Sequence, residues 1–192
     1  AQYAHRVATQ IDETPPQLES VWSAYIESVL APRNEPPPTD HTDPLTVIYN
    51  ALLFLETRVG RTKLARPLGI TDDCAGEACS EWVESPIARQ GGRWLAVNLT
   101  VLRSLFTGGD EIGLDDMLVA DDESDLHNQI LSGFDRCIGL AQTLDADLQQ
   151  EIETDRASVA SLHAEIAVLV RRIEEMQELW SLRKFYTHDH SE

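Results

Sequence analysis

Hydrophobic residues recur at helical spacing along almost the whole chain. A period of three and four residues indicates amphipathic helices that each bury one face. No segment of any length alternates apolar and polar residues as a half-buried strand does. The sequence therefore predicts an all-α fold, an antiparallel helical bundle of four to five long helices. The two clearest apolar stripes run through Leu126, Ile130, Phe134, Cys137, Ala141, Leu144 and Leu148, and through Val159, Leu162, Ile166, Leu169, Ile173, Met176 and Trp180.

Prolines divide the first half of the chain. Pro15 and Pro16 interrupt an apolar stripe, which predicts a kinked first helix because proline removes a backbone hydrogen bond and clashes with the preceding turn. Residues 31–44 hold five prolines and are expected to form a linker. The next helix should begin at Pro44 and end before Gly69, with a break between the closing helices near residues 151–155. We expect a single domain over residues 1–192 with a flexible tail over 184–192.

The charge balance excludes one class of partner. The chain has 33 acidic and 15 basic residues, a formal net charge of -18. Such a surface repels phosphate backbones, so nucleic acid is not an expected partner. No apolar run approaches the roughly 20 residues that a membrane-spanning helix needs. Membrane attachment would then require a lipid anchor outside this chain.

Three cysteines do not make a disulfide framework. Cys74 and Cys79 lie five residues apart in a polar loop, where a local disulfide is geometrically possible and would imply an oxidising compartment. A zinc site is the weaker alternative, because the spacing is wrong for a zinc knuckle and no histidine lies nearby. Cys137 falls on an apolar helix face and is expected to be inert packing.

The stretch "ESPIARQGGRWLAVNLTVLRSLFTGG" (residues 84–109) combines a polar beginning with a very apolar helix. The helix should start near Gly92, end at Gly108 and be buried on most faces. Asn98 then has two interpretations. It either hydrogen-bonds a neighbouring helix and fixes the register, or it lines a polar pocket at one end of the bundle. The other candidate pocket residues are Glu84, Ser85, Arg89 and Arg93.

Familiar catalytic motifs are absent. The chain has no Gly-x-Gly-x-x-Gly, no Gly-Lys-Thr phosphate loop, no Gly-x-Ser-x-Gly and no Glu-x-x-His pair of a di-iron bundle. His163 and Glu165 are two residues apart, so a helix points them in different directions and they cannot share a metal. His188 and His190 are weak metal-ligand candidates, and a solvated terminus is the alternative interpretation.

The order of these features resembles the C-terminal half of the imelysin family, bacterial envelope proteins often predicted to be lipoproteins. The resemblance rests on "YAHRVATQID", "TKLARPLG", the stretch over residues 84–109, "GLDDML" and two long closing helices. The family motif is retained at Glu84, Ser85, Asn98 and Gly108, whereas Gly91 and Gly92 stand where serines are commoner. The family's Gly-x-His-x-x-Glu signature is missing. We therefore expect the C-terminal piece of a longer protein, or a divergent member without that site.

The resemblance implies two related helical bundles, a periplasmic or outer-membrane-anchored location and an association with iron uptake. It makes Glu84 a candidate ligand of a divalent metal or iron, Ser85 a helix cap or hydrogen-bond donor, Arg89 and Arg93 partners of carboxylates, and Asn98 an orienting amide. The expected function is a non-catalytic binding protein completed by an N-terminal half or a second subunit. The alternatives are half of a metallopeptidase-like protein whose His/Glu motif lies elsewhere, and a helical adaptor, which an exposed apolar stripe on a closing helix would favour.

Overall fold

The computed structural model describes residues 44–74 and 78–185, together with Pro16, Glu19, Ser20 and Ser23, which are helical. The chain divides into two compact units, Ala1–Pro44 and Leu45–Glu192. The predicted kink of the first helix, the linker before Pro44 and the tail beyond Phe185 lie outside the described residues and remain predictions, as does the single domain.

The described residues form helices and turns without a strand, which confirms the predicted all-α class. Three helices are long: Gly91–Thr107, Ser124–Thr143 and Arg156–Trp180 have 17, 20 and 25 residues. Single turns of 3-10 helix lie at Asp72–Cys74 and Ser80–Trp82. The longer elements are α1 (Pro44–Leu52), a π-helix (Leu55–Ala65), α2 (Gly91–Thr107), α3 (Leu114–Ala120), α4 (Ser124–Thr143), α5 (Leu148–Thr154) and α6 (Arg156–Trp180).

The core lies where α4 packs between α2 and α6. The rings of Phe106 in α2 and Phe134 in α4 are fully buried, with their centroids 6.0 Å apart. Gly133 lets α4 approach α6 closely, because a Cβ there would lie 2.9 Å from Cδ1 of Leu169. Cys137 is fully buried in this core, and burial raises the pKa of its thiol to about 12. Its packing role is thus the one that the sequence indicates.

Two aspartates break the apolar stripe that the sequence assigns to one helix through Leu148. α4 ends at Thr143, and Leu144 adopts extended backbone at ψ 150°. Asp147 then caps α5 by accepting a hydrogen bond from the backbone N–H of Gln150, and Asp155 caps α6 in the same way from Ser158. The expected single break near residues 151–155 is therefore the second of two, because each aspartate satisfies the free N–H groups of a new helix.

The segment after α1 also departs from the predicted α-helix. Residues 55–65 form a π-helix, and the i to i+5 pattern continues past it, where the N–H of Arg66 donates to the carbonyl of Arg61 over 3.0 Å. Residues five apart then share a face, which explains why Leu55, Gly60 and Ala65 are all buried. The π-helix ends at Ala65, before Pro67, and the turn that follows reaches Gly69 in the left-handed region at φ 69°.

Candidate functional site

The polar stretch before α2 is an exposed turn rather than a helix cap. Ser85 and Arg89 both adopt left-handed backbone, at φ 57° and 50°, and the N–H of Ala88 donates to the Ser85 carbonyl. The N-cap position of α2 is occupied by Gln90. Ser85 therefore does not cap the helix, although the resemblance made a cap one of its two expected roles.

Glu84 already binds a cation of this chain. One of its carboxylate oxygens lies 2.7 Å from the ammonium nitrogen of Lys63 in the π-helix. The Glu84 side chain is 61% exposed and the Lys63 side chain 20%. In this structure the cation that pairs with Glu84 is therefore the ammonium group of Lys63, whose side chain is the less exposed of the two.

Lys63, the ion-pair partner of Glu84, lines the same groove as Asn98. Lys63 and Asn98 both line a groove of about 330 Å³ between the π-helix and α2, together with the guanidinium-bearing side chain of Arg58. Glu84 therefore lies beside the groove that Asn98 lines, because its ion-pair partner Lys63 lines that groove too. The remaining walls of the groove are apolar: Phe54, Val59, Val101 and Leu102.

Asn98 is half-buried, and its side-chain amide has no hydrogen-bond partner among the described residues. The interpretation in which Asn98 fixes helix register finds no bond to support it. Asn50 makes hydrogen bonds of this kind instead. Its buried side chain donates to the carbonyl of Arg183 over 2.6 Å and accepts from the N–H of Phe185 over 2.7 Å.

The two remaining predicted arginines do not line the groove. The Nε of Arg89 lies 3.6 Å from Oδ2 of Asp147, so this exposed side chain faces the beginning of α5. Arg93 is also exposed, in the first turn of α2. Arg58 and Lys63, which the sequence reasoning missed, supply the positive charge instead. Their signal was a cluster of basic residues over 58–66 in a strongly acidic chain.

The prediction that α2 is buried on most faces is wrong. Leu95, Leu99 and Phe106 are fully buried, but Trp94 is 53% and Val101 61% exposed on the other side. The described elements cover only one side of α2, and so the apolar residues of the opposite side remain in solvent. We call these residues the α2 stripe: Trp94, Val97, Val101 and Leu105.

The α2 stripe continues into a second, larger cavity of about 640 Å³. Val101 and Leu105 line it from α2, and Leu45 and Ile48 line it from α1. The apolar stripe of the closing helix α6 is by contrast buried, down to Met176. Among the described residues, four exposed large apolar side chains thus lie together on α2, whereas α6 has only Leu179.

The other predicted ligands contribute no metal centre to the described residues. No group of three His, Cys, Asp or Glu side chains within those residues is arranged to hold a metal ion. His188 and His190 lie outside the described residues. Cys74 and Cys79 are joined by a disulfide with a Cα–Cα distance of 6.4 Å.

Comparison with known proteins gives one match. No curated protein and no solved structure matches the chain. Among the described residues, no helix is both long and apolar enough to cross a membrane. The family model Imelysin (Peptidase M75) matches residues 1–176, and that family is generally extracellular or envelope-associated. Because this match covers most of its length, the chain belongs to the imelysin family.

Proposed function

We propose that this chain is a non-catalytic binding protein of the bacterial envelope, and that the groove between the π-helix and α2 is its half of a ligand site. The observation that carries the proposal is the convergence of Arg58, Lys63 and Asn98 in one groove beside an exposed apolar helix face. A structural ion pair alone would not require that combination.

The charges of the groove favour an anionic ligand. A bare metal ion would meet the guanidinium of Arg58 and the ammonium of Lys63, which repel cations. The same donors, with the free amide of Asn98, complement oxygen-rich anions such as carboxylates. The family resemblance links the fold to iron or other metal uptake. An anionic metal complex with carboxylate oxygens on its surface is the ligand class that fits both this role and the positive charge of the groove.

The proposed compartment is the periplasm or the outer membrane surface. The disulfide between Cys74 and Cys79 supports it, because such bonds persist in oxidising compartments.

The α2 stripe supports a companion subunit or half. Trp94, Val97, Val101 and Leu105 recur at the spacing by which one helix packs against another. The stripe shares Val101 with the groove, so a helix that covers the stripe would also close the ligand site. We propose that the occupant is a second helical bundle of the same family, one that carries Gly-x-His-x-x-Glu. Any peptidase chemistry would then require that bundle.

Titration with ferric citrate tests the ligand class. We expect binding by the purified chain, and at least a roughly hundredfold weaker Kd in the double variant Arg58→Gln/Lys63→Gln, since each of the two lost charge-assisted bonds is worth about 1.5–3 kcal/mol. Lys184→Gln is the matched control, because Lys184 pairs with Glu174 away from the groove. Equal affinities for the double variant and the control, or no binding at all, would refute the groove as the site.

Co-expression with a family bundle that carries the signature tests the companion. Val101→Asp should abolish co-purification, whereas Ile87→Asp should not, because Ile87 is 97% exposed and lies outside α2. If the unmodified chain does not co-purify with that bundle, the proposed companion is refuted. Concentration-dependent self-association would reassign the stripe to a second copy of this chain.

A further inference from the structure

A separate cavity of about 360 Å³ lies between the π-helix and α6. It shares no lining residue with the groove at Asn98. Its apolar wall includes Ala65 from the π-helix and Ile166, Ala167 and Val170 from α6. Its polar lining combines both signs of charge: Glu56, Arg61, His163, Arg171 and Glu174.

Three of the polar side chains are uncommitted. Glu174 is paired with Lys184, and Arg61 also has an interaction of its own. By contrast, the side chains of Glu56, His163 and Arg171 have no hydrogen-bond or ion-pair partner in the described part of the chain. The cavity thus presents one free carboxylate, one free guanidinium and one free imidazole.

The carboxylates gather at one end of the cavity. Burial, then Glu174, then Glu56 raise the pKa of the Tyr49 hydroxyl, so both carboxylates lie near this one phenol. His163 is half-buried, and burial lowers its pKa, which leaves the imidazole neutral at neutral pH. A neutral imidazole offers one donor and one acceptor to a ligand.

The π-helix shapes the wall of this cavity. A Cβ on Gly60 would lie 3.3 Å from the carbonyl oxygen of Leu55 and 3.5 Å from Cγ2 of Ile166, so glycine keeps this wall open. π-helical segments are rare, and they occur frequently at functional sites. The cavity is therefore lined on one side by the π-helix, the rarest type of element in the fold.

We propose that this cavity binds a small zwitterion, an α-amino acid with an aliphatic side chain. Its carboxylate would pair with Arg171, its ammonium group with Glu56, and its side chain would pack against Ile166 and Val170. A dicarboxylate would place a second negative charge beside Glu56 and Glu174, and a diamine would place a second positive charge beside Arg61 and Arg171. A ligand with one charge of each sign complements both the carboxylates and the guanidinium groups of the lining.

L-leucine is the probe, with 4-methylpentanoate and 3-methylbutylamine as analogues that lack its amino or its carboxyl group. We expect L-leucine at about 10 mM to shift the ring resonances of His163 in NMR spectra and to raise Tm by about 3 °C, and each analogue to do neither. Arg171→Gln and Glu56→Gln should each weaken binding at least roughly tenfold, as the loss of one charged partner does.

Arg172→Gln is the matched control. Arg172 is the next residue along α6, does not line the cavity and pairs with Glu175. The proposal fails if L-leucine leaves the His163 resonances unchanged, if Arg171→Gln binds as well as Arg172→Gln, or if the two analogues bind as tightly as L-leucine. Circular dichroism of each variant separates lost binding from lost folding. If Arg171→Gln loses its helical signal, Glu56→Gln takes its place in the comparison with Arg172→Gln, and unweakened binding by Glu56→Gln would also refute the pairing.

Discussion

At the scale of single residues, the polar side chain that most constrains this fold is Asn50. Its amide donates to the carbonyls of Thr46 and Arg183 and accepts from the N–H of Phe185. These bonds join α1 to the segment that follows α6, more than 130 positions later in the sequence. A buried asparagine with all of these partners is a specific link between the two segments.

Asn50→Ala should lower the free energy of unfolding by about 2–3 kcal/mol, because it removes three hydrogen bonds of a buried side chain, each worth about 0.5–1.5 kcal/mol. The matched control is Asn98→Ala, whose half-buried amide has no partner among the described residues, and we expect its effect to stay within about 0.5 kcal/mol. Urea unfolding followed by circular dichroism measures both. Equal losses in the two variants would contradict the distinction drawn between these asparagines.

Only some residues of the candidate site could be recognised from the sequence. Glu84 and Asn98 are recognisable in the sequence because polar residues next to an apolar helix are unusual. Lys63 and Arg58 give only the weaker signal of a basic cluster, because basic residues on an apparent surface helix are ordinary. Which carboxylate Lys63 meets is decided by the packing of the π-helix beside the turn at residue 84.

At the scale of elements, the two glycines that begin α2 have a structural role. The N–H of Gly92 donates to the carbonyl of Ala146 over 3.0 Å. A Cβ on Gly92 would lie 2.0 Å from the carbonyl oxygen of Asp145, and one on Gly91 would lie 2.9 Å from Cβ of Leu148. The beginning of α2 thus rests directly on the backbone between α4 and α5, which only glycine allows.

Gly92→Ala should therefore lower the free energy of unfolding by about 3 kcal/mol, since the backbone must move to admit the methyl group. Gly139→Ala is the control within α4, because no heavy atom lies within 4 Å of its added Cβ. That variant should gain about 0.5–1 kcal/mol from the smaller entropy of its unfolded chain. Chemical denaturation of both variants distinguishes them, and a Gly92→Ala protein as stable as the parent would show that the contact is not close.

Helix ends were predictable where a local signal exists. The sequence places α2 between about Gly92 and Gly108, and the structure gives Gly91–Thr107 with Gly108 in the left-handed C-cap. The π-helix was not predictable, because its stripe of buried residues overlaps that of an α-helix within two turns. What distinguishes the two is the packing of residues 55–65 against α6.

At the scale of the whole molecule, the dominant feature is the net charge of -18. The ion pairs of the described residues involve mostly exposed side chains, each of which contributes little in water. Unbalanced negative charge acts over longer distances and destabilises the compact state through repulsion.

Raising the NaCl concentration from about 0.01 M to 0.15 M should therefore raise Tm by about 3 °C, as the Debye length falls from roughly 30 Å to 8 Å. Differential scanning calorimetry gives the value, and choline chloride at the same ionic strength controls for specific binding of sodium. A fall of Tm with salt would mean that the ion pairs outweigh the general repulsion.

The sequence alone determined the helical class, the family and the glycine signals at helix ends. These depend on residues a few positions apart, which can be read from the chain directly. Tertiary structure decided which face of α2 is buried, the π-helical register, the Lys63–Glu84 pair and the link from Asn50 to residues 183–185. Each of these depends on groups far apart in the sequence, and periodicity specifies which side chains share a face but not what that face meets.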